Sequence, residues 1–262
     1  MDKLIKIDPT KTTDRIVNFL KTEFKDRKKK VAILGMSGGI DSAICAFLCK
    51  EAGLKLYALN LPYKKQSVKD SFLIEKNLSL PQKQILTINI KSSVDAQVKE
   101  LKKNTNIDMF DKGNIMARQR MIVQYALAKK LNGLVVGTEN LSEYWLAYFT
   151  THGDGAYDIA PIANLLKTQV YEIAKYLGVP EKIIRSAPSA GLWENQTDEN
   201  ELGFSYANAD PIIHLYKVRG FSKQKIMKNY SFDKSLVNKV IKKINSTSFK
   251  REYPSKCVIN QK

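Results

Sequence analysis

Residues 31–42 read Val-Ala-Ile-Leu-Gly-Met-Ser-Gly-Gly-Ile-Asp-Ser, an apolar run of strand type ending in a glycine-flanked serine turn. A helix-like segment, Ala43 to Lys50, follows at once. That layout makes an anion site, because backbone N–H groups of a tight turn and of a helix N-terminus face one volume and favour phosphate oxygens. Gly35, Met36, Ser37, Gly38, Gly39, Ile40, Asp41 and Ser42 are the candidate phosphate-binding residues. The turn is not a Walker loop, since Asp41 stands where that motif needs lysine. A carboxylate beside bound phosphate calls for a cation between them, so Asp41 implies Mg²⁺. Taken alone, the stretch also fits an ordinary strand–turn–helix corner with two convenient glycines.

The elements around this turn follow from hydrophobic spacing. Ile16, Phe19, Leu20 and Phe24 predict an amphipathic helix over 12–26. Strand one is predicted at 31–35, with its helix at 41–52 closed by Gly53. Further strands are predicted at 56–61, 84–89 and 134–137, and helices at 68–78, 92–103 and 112–131. Strands alternating with helices imply an α/β fold: a doubly wound, mostly parallel sheet with helices on both faces. Ligands of such folds sit beyond the carboxyl ends of the strands. Gly35 to Ser42 and Gly137 to Glu143 both follow strand ends, so they are expected to line one cleft. From about residue 165 only helices are predicted, at 168–177, 180–184, 211–218 and 233–244. The expectation is one domain over 1–262, with an α/β core at 12–165 and a helical C-terminal extension at 166–262. Tyr63 to Ser67 and the polar, acidic Gly191 to Glu201 read as mobile loops.

Composition bounds the classes. The 262 residues are 44% hydrophobic, enough for a real core, and no apolar run has the length of a membrane span. No signal peptide follows Met1, and the cysteines Cys45, Cys49 and Cys257 read as reduced thiols of a cytoplasmic protein. The net charge of +17 suits a polyanion partner. Its lysines are dispersed and rarely interleaved with aromatics, which favours a solvated surface over a nucleic-acid partner.

Ser37-Gly38-Gly39-Ile40-Asp41-Ser42 resembles the pyrophosphate-binding loop of N-type ATP pyrophosphatases, the adenine nucleotide alpha hydrolase-like fold. The motifs that follow resemble ammonia-dependent NAD synthetase in order and spacing. They are Gly113 to Met121, Gly137-Thr138, Glu143, Gly153-Asp154-Gly155-Ala156-Tyr157-Asp158, Lys167, Ala187 to Ala190, Asp198 to Gly203 and Lys250-Arg251. The similarity covers about residues 12 to 254.

The resemblance implies a ligase that makes NAD from deamido-NAD, ATP and ammonia through an adenylate, releasing AMP and pyrophosphate. It implies Asp41, Asp154 and Lys167 as catalytic residues, with Asp154 near ammonia. ATP would meet the turn at 35–42, Thr138, Lys167 and Ser189. Deamido-NAD would meet Arg118, Thr151, Asp158, Phe249 and Lys250. Asp41 and Glu143 would bind Mg²⁺, and the enzyme would be a homodimer, with the helices at 12–26 and 112–131 as candidate interface elements. The two mobile loops would act as lids that protect the adenylate from water. With 262 residues occupied by the synthetase pattern, ammonia is expected as the direct nitrogen source.

Each residue also has a plainer reading. Thr138 suits a helix N-cap, Gly153-Asp154-Gly155 a tight turn, Glu143 a surface carboxylate and Lys167 one more surface lysine. Thr151 and Phe249 stand where the family often has lysine and histidine, and His152 replaces a usual aromatic. Two rivals share the fold: a tRNA-modifying ATP pyrophosphatase, and a nucleotide-binding sensor that does not cleave ATP. Against the first stands the lack here of a Cys-x-x-Cys pair, of a basic–aromatic RNA module and of an appended RNA domain; the second has no need of Asp41 with Glu143.

Overall fold

Four short apolar runs form the sheet: β1 (Val31–Gly35), β2 (Lys55–Asn60), β3 (Ile85–Thr87) and β4 (Gly133–Val135). All pairings are parallel and the strand order is β3-β2-β1-β4. The structure is a computed structural model that describes residues 4–64, 66–189, 191–193, 196–252, 254–257 and 259. Among the described residues no helix is long and apolar enough to cross a membrane.

Side chains alternate across β1. Ala32 and Leu34 face a core shared with α1 (Pro9–Asp26), α2 (Ile40–Glu51) and α7 (Lys167–Tyr176). Ile33 faces a second core with Leu59, Val94 and Met116, the last two from α4 (Lys91–Leu101) and α5 (Met109–Lys130). Both faces of the sheet are therefore covered, as parallel strands require. The remaining helices on the way are α3 (Lys69–Asn77), α6 (Leu141–Leu146), α8 (Glu181–Ile184) and α9 (Asp198–Leu202). A third core lies under α10 (Tyr206–Ile213), α11 (Lys223–Asn229) and α12 (Lys234–Ser246). No strand follows β4 among the described residues, in line with the expected helical extension.

The chain runs outward from β1 to β2 and β3, then returns to the other side of β1 as β4. The strand order reverses between β1 and β4, and the carboxyl ends at such a reversal are where folds of this kind hold their ligands. The predicted elements lie within a few residues of those observed, with three differences. The third strand is shorter than 84–89, because Gln82–Gln84 forms a 3₁₀ turn. The helix expected at 211–218 begins earlier, at Tyr206, and widens to a π turn at His214–Val218. Finally, α6, α9 and α11 were not predicted; each has seven residues or fewer, too few for a helical stripe to show.

Candidate active site

The serine turn is locked by its own side chains. Ser37 Oγ accepts from Gly39 N–H at 3.1 Å and meets Ser42 Oγ at 3.0 Å, while Ser42 Oγ donates to the Gly39 carbonyl at 3.0 Å. Gly38 sits at φ +85°, where a Cβ would also press on Asp70 at 3.1 Å, so glycine is required by both conformation and space. Asp41 occupies the first turn of α2, with Gly39 as N-cap.

From the other side of the crevice, β4 delivers Thr138, Glu139 and Asn140. Asn140, not Thr138, is the N-cap of α6: its side chain accepts from Glu143 N–H while Glu143 Oε2 accepts from Asn140 N–H, a complete capping box. Asn140 Nδ2 also donates to Asp41 Oδ1 at 2.9 Å. The two strand ends are thus tied together at the residues expected to bind metal.

Lys167 completes the junction. Its ammonium lies 2.5 Å from Asp41 Oδ2 and 3.0 Å from Glu143 Oε1, and the side chain is 2% exposed. Burial opposes its charge, but the two carboxylates outweigh burial and hold its pKa above the ordinary lysine range. It is no surface lysine, and in this arrangement it points at the carboxylates rather than outward. Asp210, 0% exposed, holds this lysine in place. It accepts from Ser142 Oγ at 2.5 Å and from Thr168 N–H and Oγ1–H at 2.8 Å each, while Lys167 N–H donates to Ser142 Oγ. Asp210 joins α10 to α6 and to the start of α7, and sequence reasoning missed it because its partners lie 42 and 68 residues away.

The donor set suits Mg²⁺. Among the described residues no group of three or more His, Cys, Asp or Glu side chains converges as a metal cage. Asp41 and Glu143 instead offer hard carboxylate oxygens around one point beside a phosphate-type turn. A magnesium ion is commonly held by one or two carboxylates and completed by substrate phosphates and water.

Around the corner lies the Gly153-Asp154-Gly155 turn. A Cβ on Gly153 would stand 2.9 Å from Thr150 Cγ2, so the turn packs too closely for another residue. Asp154 Oδ1 accepts from Thr150 N–H at 2.8 Å. The residue is surrounded by protein yet open to solvent, as at the floor of a cleft, and the burial pushes its pKa up. Lys250 faces it, its ammonium bonded to the Ala147 carbonyl at 2.8 Å and to the Phe149 carbonyl.

Arg118 and Arg120 diverge as their spacing requires. Arg118 is exposed and donates to the Thr151 carbonyl at 3.3 Å; Arg120 turns inward to the Leu61 carbonyl and Gln66. Thr151 thereby joins the Arg118 side of the crevice through its backbone. Asp158, expected at the dinucleotide, is committed elsewhere: its Oδ2 accepts from Val135 N–H at 2.8 Å, at the edge of the sheet. Phe249 is 71% exposed, and Ser189 is exposed with its Oγ accepting from Gly191 N–H.

The segments read as loops meet each other. Gln66 Nε2 donates to the Gly191 carbonyl at 2.7 Å, while its Oε1 accepts from Tyr63 N–H and Arg120. The second segment is not wholly a loop: α9 occupies its end, and Asp198 is buried with its Oδ2 accepting from Tyr206 OH. Lys65, Ala190, Glu194 and Asn195, which belong to these predicted loops and motifs, lie outside the described residues.

With this geometry in hand, comparison with known proteins is specific. The NAD synthase family model matches residues 12–254. An NH(3)-dependent NAD(+) synthetase of Pyrococcus horikoshii is 42% identical over 251 residues, covering 95% of this chain and 94% of that protein. The enzyme of the same name from Fusobacterium nucleatum is 37% identical over 92% of this chain and 93% of its own. Among solved structures, an NMN synthetase from Francisella tularensis superposes with a TM-score of 0.84 at 33% identity, covering 97% of this chain and 100% of its own. An NH3-dependent NAD synthetase from Campylobacter jejuni does so with a TM-score of 0.80 at 30% identity, with the same coverage. A match of this extent, over nearly the whole chain and with relatives of up to 42% identity among those compared, places the chain in the NAD synthase family.

Proposed function

We propose that this chain forms NAD from deamido-NAD, ATP and ammonia, with AMP and pyrophosphate as by-products. The observation that carries the reading is the junction in which Lys167 draws Asp41 and Glu143 together beside the serine turn. A nicotinate carboxylate is a weak electrophile and is repelled by ATP. Neutralising phosphate charge in a site closed to water is what lets the carboxylate attack the α-phosphorus and expel pyrophosphate. The turn at 37–42 offers N–H and O–H donors to the departing pyrophosphate. Mg²⁺, held by Asp41 and Glu143, would screen phosphate charge at the point where the two strand ends meet. Ammonia then attacks the adenylate carbonyl next to Asp154, and AMP leaves. Gln66, touching both candidate lids, supports closure over this intermediate.

A homodimer is part of the proposal. Met109, Phe110 and Ile122 on α5 and Phe19 on α1 are exposed apolar side chains on the two helices expected at the interface. The buried free thiols of Cys45 and Cys49 support a reducing, cytoplasmic setting.

One set of observations favours a second reading, amidation of nicotinate mononucleotide. Of the residues expected at the dinucleotide, Asp158 spends one carboxylate oxygen on Val135 N–H and Phe249 is largely in solvent, and one of the structural relatives is an NMN synthetase. Turnover of ATP, Mg²⁺ and ammonium with each acceptor in parallel decides between them. NAD and AMP in equal amounts, lost in Asp41→Ala, is the expected result. Preference for the mononucleotide would move the assignment, and ATP consumption only with tRNA would overturn it.

A further inference from the structure

Glu139 is a buried carboxylate that the reaction as described leaves unused. It is 7% exposed and follows Thr138 at the end of β4. Its neighbour Asn140 reaches the Asp41 carboxylate, so the backbone here joins the adenylation side of the crevice to the Asp154 side. Tyr157 OH donates to Glu139 Oε2 at 2.8 Å, and the Tyr157 ring packs where a Cβ on Gly137 would stand. Oε1 is buried and has no partner among the described residues. A buried carboxylate oxygen without a donor is costly unless a proton, a water or a cation serves it.

The groups facing Glu139 are Tyr157, Asp154 and Lys250. Lys250 spends hydrogen bonds on the Ala147 and Phe149 carbonyls, and Asp154 Oδ1 already accepts from Thr150 N–H. One ammonium side chain therefore faces two carboxylates, and the buried oxygen left without a donor among the described residues belongs to Glu139. Burial pushes the Glu139 carboxyl up to about 7, with the Tyr157 hydrogen bond and Lys250 opposing and Asp154 adding to the push. A carboxyl so raised is a stronger proton acceptor than an ordinary glutamate. Of the proposed substrates only ammonium is small enough to meet a single enclosed oxygen.

We propose that Glu139 is the ammonium-receiving base of this site, its free Oε1 binding NH₄⁺ and taking one proton from it. One N–H bond breaks, its electron pair stays on nitrogen and the proton goes to Oε1. The lone pair of NH₃ forms the C–N bond to the acyl carbon, and the C–O bond to AMP breaks with its electrons on the phosphate. The proton shed by the new amide nitrogen passes to the departing phosphate. Asp154, already bonded to Thr150, orients the incoming nitrogen. The assignment rests on the amidation reading above and adds to it the residue that makes ammonium a nucleophile.

The test compares purified wild-type enzyme with Glu139→Gln and Glu139→Asp, first confirmed by thermal melting to be folded. Adenylation is read as acceptor-dependent ATP–pyrophosphate exchange without ammonium. The second half-reaction is read at neutral pH with either ammonium or hydroxylamine, which is largely uncharged there and needs no base. Glu139→Gln is expected to keep exchange within about twofold and to lose about 10²-fold with ammonium. With hydroxylamine it should stay within about threefold of wild type, and Glu139→Asp should recover part of the ammonium rate. Equal loss with both nucleophiles, loss of exchange or an unchanged ammonium rate each overturns the assignment. A wild-type enzyme without exchange would overturn the amidation reading itself, a result that does not depend on either variant.

Discussion

The two ends of the parallel sheet carry opposite charge in opposite states. At the carboxyl ends Asp41, Glu139, Glu143 and Asp198 are largely enclosed and crowd around Lys167, Lys250 and a few hydrogen-bond donors. At the amino ends Lys21, Lys25, Lys28, Lys29, Lys30 and Lys55 surround a shallow depression beside Phe24 and Leu54. None of those six forms an ion pair among the described residues. The net charge of +17 comes from lysines such as these, while the chemistry resides in a handful of enclosed acids. Enclosure gives a charge its leverage, because the same pair interacts several times more strongly away from water.

The contrast breaks most sharply at Lys167. Lys167→Ala would leave Asp41 and Glu143 facing each other without a counter-charge. The expected cost is about 3–5 kcal/mol of stability together with loss of ATP–pyrophosphate exchange, read by denaturant melts and the exchange assay. Asp210→Ala should follow. It strands the Ser142 and Thr168 donors and loosens the seat of Lys167, with an expected loss of about 3 kcal/mol in the same melts.

A smaller effect should separate the enclosed acids by pH. Asn60, at the end of β2, donates to Glu75 Oε1 at 2.8 Å, while Asn60 Oδ1 and Glu75 Oε2 have no partner among the described residues. A proton kept on Glu75 is the donor Asn60 lacks. Burial moves this carboxyl from 4.5 to about 7, so between those values the folded chain holds a proton that the unfolded chain has lost. Its stabilisation is complete below the lower value and is lost as pH rises through the upper one, by about 3 kcal/mol. Glu139, Glu143, Asp154, Asp198 and Asp210 are raised too and contribute with the same sign, so Glu75→Gln should reduce but not abolish the slope in melts taken across that range.

The amino end should respond least. Lys28 has a left-handed backbone at φ 54° just after α1. Lys28→Gly relieves that strain and one like charge, for a gain of about 0.5–1 kcal/mol at low salt and no change in turnover. A loss of turnover would mean that the lysine end is coupled to the site.

What the sequence disclosed follows the same division. The serine turn was legible because its whole geometry lies within residues 35–42, where glycine, hydroxyl and carboxylate each have a local reason. The α/β order was legible because buried strands and amphipathic helices have different periods. Lys167 could be marked by resemblance, but its partners are 126 and 24 residues away, and no local pattern announces such a meeting. The capping box was readable as Asn140 followed three residues later by Glu143, a stronger signal than Thr138, which was preferred there. Asp198 was marked only as part of the resemblance at 198–203, and Asp210 gave no signal, since a lone aspartate beside a helical stretch looks the same whether solvated or enclosed.

The commitment of Asp158 to Val135 has a consequence for how molecules of this chain meet. β4 is the last strand on its side of the sheet, and a strand in that position offers unpaired amide groups to any extended segment that drifts near. Here the Asp158 carboxylate takes the Val135 N–H, the Asp158 and Ile159 amides take the Val135 carbonyl, and Gly137 N–H binds the Ile159 carbonyl. Two residues and one side chain therefore occupy the row that a foreign strand would use. That seal discourages edge-to-edge growth into aggregates.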